Sequence, residues 1–439
     1  MKRLYLIIFA LVMFAQTYAQ QGFSLEQAVN YGQSNNPSVK IAQIGITDAE
    51  QQIIETRAIG LPTVRAGVNY QHFLQIPGSL VPAEFFGGQP GEFAEVQFGV
   101  KNNLAASLEV QSLLFDASYF TGLEAAKNYR TFASQQVEVA KQDIKRNVTM
   151  AYLATLIYDE TATVIDSNRK NLERIIFETT ELYKEGFAEQ LDIDRLTLSL
   201  KQLTTQTESL ERQKEIAMNN LKFVMGFPLE QDLEITETLE GLVESGFSAE
   251  VNEKLVLDNH ATYQMLKTGI ALSEMNVTAQ KQQGYYPNLA AFGTYQQSLQ
   301  GDNLFGDAAV WIPTAVVGLQ LNIPIFDGFA RGAKVQRAEL DVEESVRQRD
   351  QYAESVELEV ENARIKYRDA VAKVTNVKEN QALAERIYNT IQIKYKEGLA
   401  SSFELNQAEN ALFVEQSSYI QALFELLMAK AELEIALGK

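Results

Sequence analysis

The chain has no cysteine, one tryptophan, two histidines and only 9 prolines in 439 residues. Without cysteine there is no disulfide, no thiolate nucleophile and no lipid attached through an N-terminal cysteine, so stability has to come from packing. The two histidines, His72 and His260, form no metal-ligand spacing, and neither a phosphate-binding glycine loop nor a dinucleotide fingerprint occurs. These absences point away from an enzyme: no catalytic, cofactor-binding or metal-ligating residue is expected, and no cofactor. Positive charge is also short, with 38 Lys and Arg against 57 Asp and Glu for a net charge of −19. Nucleic acid, which needs a basic surface, is not an expected partner.

Long hydrophobic runs are missing too. The longest opens the chain, in MKRLYLIIFALVMFAQTYAQ, where Lys2 and Arg3 precede an apolar stretch from Leu4 to Ala15 and small residues close it at Ala19. That stretch is too short to cross a bilayer as a helix but has the layout of a secretory signal, expected to be cleaved after residue 19. Exposure to an oxidising compartment without using cysteine is then a choice of the sequence.

What is present is a duplication. "YKEGFAEQLDI" at residues 183–193 returns as "YKEGLASSFEL" at 395–405, and from Tyr183 to Gly226 the chain aligns without a gap on Tyr395 to Gly438. "LLFDAS" (113–118) pairs with "PIFDGF" (324–329), and "LPTVRAGVNY" (61–70) with "YPNLAAFGTY" (286–295). A fixed order of elements used twice is the mark of a repeated architecture.

Those elements are readable from period. Ser24 with Gln27 makes a capping box, and Asn36-Pro37 starts a helix expected to run to about Ile59. Strands of period two are expected at about 63–73 and 104–115, and again at about 288–299 and 314–326. The segments between them, 76–103 and the one containing Trp311, read as loops. From about Ser118 to Leu182 and from about Ala330 to Lys396, apolar residues recur at three- and four-residue steps with almost no breaker. Each predicts a helix of roughly 65 residues, about 95 Å long, which must pack along a partner as a coiled coil. The expected division is a signal at 1–19, a first repeat at 20–226, a connecting segment at 227–260 and a second repeat at 261–439.

Each strand is apolar on one face. Val64, Val68 and Tyr70, then Leu108 and Val110, then Leu319 and Leu321 alternate with polar residues over about ten positions, the span of a membrane strand. Four such strands cannot enclose a lumen, but three copies would supply twelve. On that reading the seven residues face lipid and the chain works as a homotrimer.

The motifs NNPSVK, LFDAS, IFDGFARGA and the two YKEG turns, in this duplicated order, resemble the TolC-type outer-membrane efflux family over essentially the whole chain from Phe23 to Gly438. The resemblance implies a mainly α protomer with a small β part, three of which build a twelve-stranded β-barrel in the bacterial outer membrane and an α-helical tunnel into the periplasm. It also implies docking on a periplasmic adaptor and, through it, coupling to an inner-membrane pump in efflux or type I secretion. The turns would be the periplasmic tips, with Gly186, Phe187, Ala188, Gly398, Leu399 and Ala400 meeting the adaptor. Glu404 falls on a family position for an aperture carboxylate, and Gln407 stands where a second acid would be. Tyr395 and Asp192 occupy the positions of a tyrosine–acid bond that holds the tip closed. The alternative is a soluble periplasmic coiled-coil scaffold without a pore, in which the Val64 and Leu108 faces would be buried.

Overall fold

A computed structural model describes residues 21–244, 251 and 253–439. The expected signal at residues 1–19 lies outside the described residues. The chain begins with a short strand, β1 (Gln21–Phe23), and helix α1 (Leu25–Asn35), whose N-terminus carries the reciprocal Ser24–Gln27 box. Helix α2 (Pro37–Ile59) starts on proline, where the missing N–H is no loss, and ends before Pro62. Strand β2 (Thr63–His72) then leads into the segment expected as loop. It contains a hairpin instead, β3 (Gly78–Pro82) with β4 (Phe93–Gln97), turned through Gly87 and Gly91 at positive φ. Strand β5 (Asn102–Phe115) passes directly into α3 (Ala117–Lys184), 68 residues long. Asp116 makes the change of period possible: its carboxylate accepts from the N–H groups of Ser118 and Tyr119 and so caps α3. Helix α4 (Gln190–Met225) returns, followed by β6 (Leu233–Ile235) and α5 (Leu239–Glu244).

The second half repeats the order with α6 (Ala261–Tyr285), β7 (Asn288–Gly301), β8 (Val310–Asn322), α7 (Ala330–Lys396) and α8 (Ser402–Ala436). Trp311 lies within β8 rather than in the loop before it. Pro313 does not stop the strand because β8 is a sheet edge in the chain, where a lost N–H can be tolerated. Asp327 again caps the long helix, accepting from the N–H of Arg331. The duplication extends to detail. Asn36, buried before α2, packs on Gly226 at φ 70°, and His260, buried before α6, packs on Gly438 at φ 80°.

The chain divides into two compact units, each assembled from both halves. One, residues 47–132 and 268–346, holds an antiparallel sheet in the order β2-β5-β7-β8. Its helix segments contact one another in the same order, through Arg130–Glu50 at 2.8 Å, Thr121–Gln282 at 2.6 Å and Lys281–Glu339 at 2.9 Å. Few side chains are buried in this unit, and the residues of β2 are exposed along its whole length.

The other unit comprises the described parts of residues 1–46, 133–267 and 347–439. One core gathers Phe23, Tyr152, Leu156, Leu221, Leu239 and Leu427 around the parallel β1–β6 pair. The Tyr152 hydroxyl donates to the carbonyl of Phe23 at 2.9 Å, which ties β1 to α3. A second core lies among the ends of α3, α4, α7 and α8, with Leu172, Ile175, Leu196, Tyr388, Tyr395 and Leu405 among its members.

Candidate functional site

Two surfaces stand out, the faces of the sheet and the ends of the long hairpins. The register puts Val64, Val110 and Val317 in one row, with Ala66, Leu108 and Ala315 in the next. Val68, Ala106 and Pro313 follow, then Tyr70, Leu104, Leu299 and Trp311. Leu319 and Leu321 continue the same face of β8. All seven residues expected to meet lipid therefore share one face, and all are exposed in the chain, Val68 at 75%. From Leu321 to Trp311 along β8 the apolar band spans ten residue steps, about 25 Å high for a strand tilted by ~40°. The opposite face carries Thr63, Arg65, Asn69, Ser107, Glu109 and Gln320. Arg65 and Glu109 stand directly opposite each other there. Gly318 sits under Phe292, whose ring a Cβ at that position would meet at 2.6 Å.

At the hairpin ends, Gly186 has φ 81° and Gly398 has φ 71°. Each follows a long helix and closes it with a paired cap: Phe187 N–H donates to the Leu182 carbonyl at 2.9 Å, and Leu399 N–H to that of Lys394 at 2.7 Å. The return helices then begin on matching capping boxes. Glu189 N–H donates to the Asp192 carboxylate at 3.1 Å, and Ser401 N–H to the Glu404 carboxylate at 2.8 Å. Glu404 is therefore the acid that caps α8. The N–H and hydroxyl of Ser401 hold its carboxyl below the usual range. Phe187 and Leu399, 82% and 77% exposed, project apolar side chains beyond the turns. Ala188 and Ala400 are half-buried, Ala400 against the tip core, and Gln407 is exposed one turn past Glu404.

Residues 256–439 match the family model for outer membrane efflux proteins. Nodulation protein T of Rhizobium leguminosarum bv. trifolii is 22% identical over 357 residues, 80% of this chain and 74% of that protein. Outer membrane protein TolC of Salmonella enteritidis is 18% identical over an alignment covering 100% of this chain and 86% of its own. The fold is that of outer membrane protein VceC from Vibrio cholerae, with a TM-score of 0.71, 15% identity and coverage of 94% of this chain and 96% of that one. The match to outer membrane efflux proteins covers residues 256–439, and the likeness of fold extends over nearly the whole chain. The internally duplicated, mainly helical protomer described above is the fold it shares with that structure.

One residue-level expectation taken from the family needs correction. Tyr395 is not bonded to Asp192. Its hydroxyl pairs with Thr179 Oγ1 at 2.7 Å, inside the tip core, where Tyr395 is 9% exposed and Thr179 fully enclosed. Burial pushes the Tyr395 hydroxyl pKa up, and the Asp192 charge adds to that. Asp192 instead accepts from the Ser402 hydroxyl, joining the two hairpins by a different residue. The reason is competition: Asp192 is already turned toward the N-terminus of its own helix, and Ser402, at the start of the other return helix, lies within its reach. Thr179 and Ser402 were missed as functional residues. The signal for Thr179 was its place in the apolar series Leu172, Ile175 and Leu182, where a hydroxyl needs a partner.

Proposed function

We propose that three copies of this chain close their sheets into one twelve-stranded barrel in the outer membrane. Their helices continue it as a duct into the periplasm. Solute leaves passively through this duct, and a partner pump supplies the energy. The observation that carries the reading is the sheet. Its apolar face is uncovered, the outer edges of its end strands β2 and β8 meet no further strand among the described residues, and almost no core lies beneath it. Long unpaired edges with greasy surface are unstable in water. Lipid satisfies the face and neighbouring copies satisfy the edges. Because four strands alternate in direction, β8 of one copy meets β2 of the next antiparallel, so closure preserves the ladder.

The exposed apolar pair Phe187 and Leu399 fits an adaptor that docks on the six turns of a trimer and opens the mouth. The division into two repeats joined by residues 227–260 serves this design, since each repeat contributes two strands and one hairpin. Asp192, Tyr395, Glu404 and Gln407 lie at that mouth and set its packing. The same duct serves drug or ion efflux and type I secretion, the cargo being chosen by the pump.

Membrane fractionation, electrophoresis in SDS with and without heating, and planar-bilayer recording test the proposal together. The expected result is an outer-membrane protein that migrates as a heat-labile trimer and forms discrete conducting channels. Recovery as a soluble monomer would instead support the scaffold.

A further inference from the structure

The tip core contains a carboxyl group that hairpin packing does not require. Glu409 lies on α8 between the buried Leu405 and Leu412, and is 6% exposed. Its Oε1 accepts one hydrogen bond, from Asn171 Nδ2 on α3 at 2.7 Å, while Oε2 is enclosed without a partner. The cation acting on it, Arg174 of α3, is committed elsewhere: it donates to Asn171 Oδ1 at 2.6 Å and pairs with Glu178 at 3.3 Å. The Arg174 bond also orients the Asn171 amide, so that its nitrogen faces Glu409 and the hydroxyl of Tyr388 on α7, at 2.6 Å. Tyr388 is already accepting from Gln392 at 2.9 Å. The α4 side chains that line this region, Ser199, Gln202, Leu203 and Gln206, are all neutral. An ionised carboxylate wants several donors, and here it has one. Beside it is a cavity of about 170 Å³ lined by Glu409, by six Asn, Gln and Ser side chains, and by the apolar Leu172, Leu203 and Phe413. That volume holds several waters at ~30 Å³ each.

We propose that Glu409 is a buried proton-binding site that latches the hairpin tips. Protonated, it stays packed against α3. Ionised, its carboxylate turns into the polar cavity to gain water, and the contact between the two helices loosens. Burial pushes its pKa up to about 7, against the opposing effects of Asn171 and Arg174. The sign follows from linkage. A folded-state value raised above the ordinary 4.5 means that the packed tip holds its proton longer than the unfolded chain does. The stabilisation is complete below 4.5 and is lost as pH rises through about 7. Glu404, exposed and shifted the other way, titrates on the acid side of this window. A pH-dependent mouth follows only if the chain is a duct, whereas the proton site itself can be tested in detergent without any channel.

Infrared difference spectra of the purified wild-type protein between pH 5.5 and 8.5 should show the carbonyl stretch of a buried protonated carboxyl. That band should disappear at the alkaline end and be missing from Glu409→Gln. Hydrogen-exchange protection of residues 402–412, corrected for the intrinsic rate at each pH, should fall at least tenfold across the same range in wild type and stay level in the variant. Absence of the wild-type band, or equal loss of protection in both proteins, overturns the latch. If Glu409→Gln does not fold, the wild-type infrared titration alone decides: a midpoint near 7 supports the site, and ionisation complete at pH 5.5 refutes it.

Discussion

Replacing Tyr395 by phenylalanine removes a single hydroxyl from the tip core and leaves Thr179 Oγ1 without that partner on a residue with no exposed surface. A buried neutral hydrogen bond contributes about 1 kcal/mol net, and orphaning one of its members costs ~1–3 kcal/mol. Tyr395→Phe and Thr179→Val should therefore each destabilise by roughly 1–3 kcal/mol. The double variant, with nothing orphaned, should cost no more than either single change, a coupling of ~1–2 kcal/mol. Asp192→Asn acts on a separate pair, the Ser402 hydroxyl and the Glu189 N–H, so its effect should add to that of Tyr395→Phe. Denaturant titration of the detergent-solubilised variants, followed by far-ultraviolet circular dichroism, measures all of these terms. Additivity of the Tyr395 and Thr179 changes, together with coupling between Tyr395 and Asp192, would refute the partner assignment and restore the tyrosine–acid bond.

Nothing lies within 4 Å of a Cβ added at Gly186 or Gly398, so any cost of substitution there is conformational. Alanine at either turn should lose ~1–2 kcal/mol and asparagine clearly less, as thermal melting can show. Val68→Arg or Leu319→Arg on the apolar sheet face should cost ~2–4 kcal/mol in bilayers and lower the yield of heat-labile trimer, whereas Gln71→Arg on the polar face should not. Phe187→Asp with Leu399→Asp should abolish retention of a cognate adaptor while leaving trimer migration unchanged. Glu404→Gln should flatten the acid limb of a stability profile. The lowered Glu404 pKa contributes stability above its ordinary 4.5, and this is lost as pH falls through the shifted value.

Much of the fold was legible because its signals are local. Proline and glycine mark helix ends at Pro37, Pro62, Gly186 and Gly398, and period-two alternation marks the faces of β2 and β8. The β3–β4 hairpin was not legible, since its short alternation is surrounded by glycine and phenylalanine that read as loop. Trp311 was misplaced because Pro313 reads as a strand breaker unless the strand is known to be an edge. At the tips, the capping boxes were present as Glu189–Asp192 and Ser401–Glu404, although the acids drew a pore-lining reading before a capping one.

By itself the sequence determined the duplication, the length of the helices and the apolar and polar faces of four strands. All of these depend on residue type at fixed spacing along one element. Only the tertiary structure decided that Tyr395 bonds Thr179, that Asp192 reaches Ser402 and that Glu409 is enclosed with one donor. Those facts depend on how four helices rotate against one another. A rotation that changes the backbone little moves a hydroxyl from one partner to the next, and no spacing along a single helix records it.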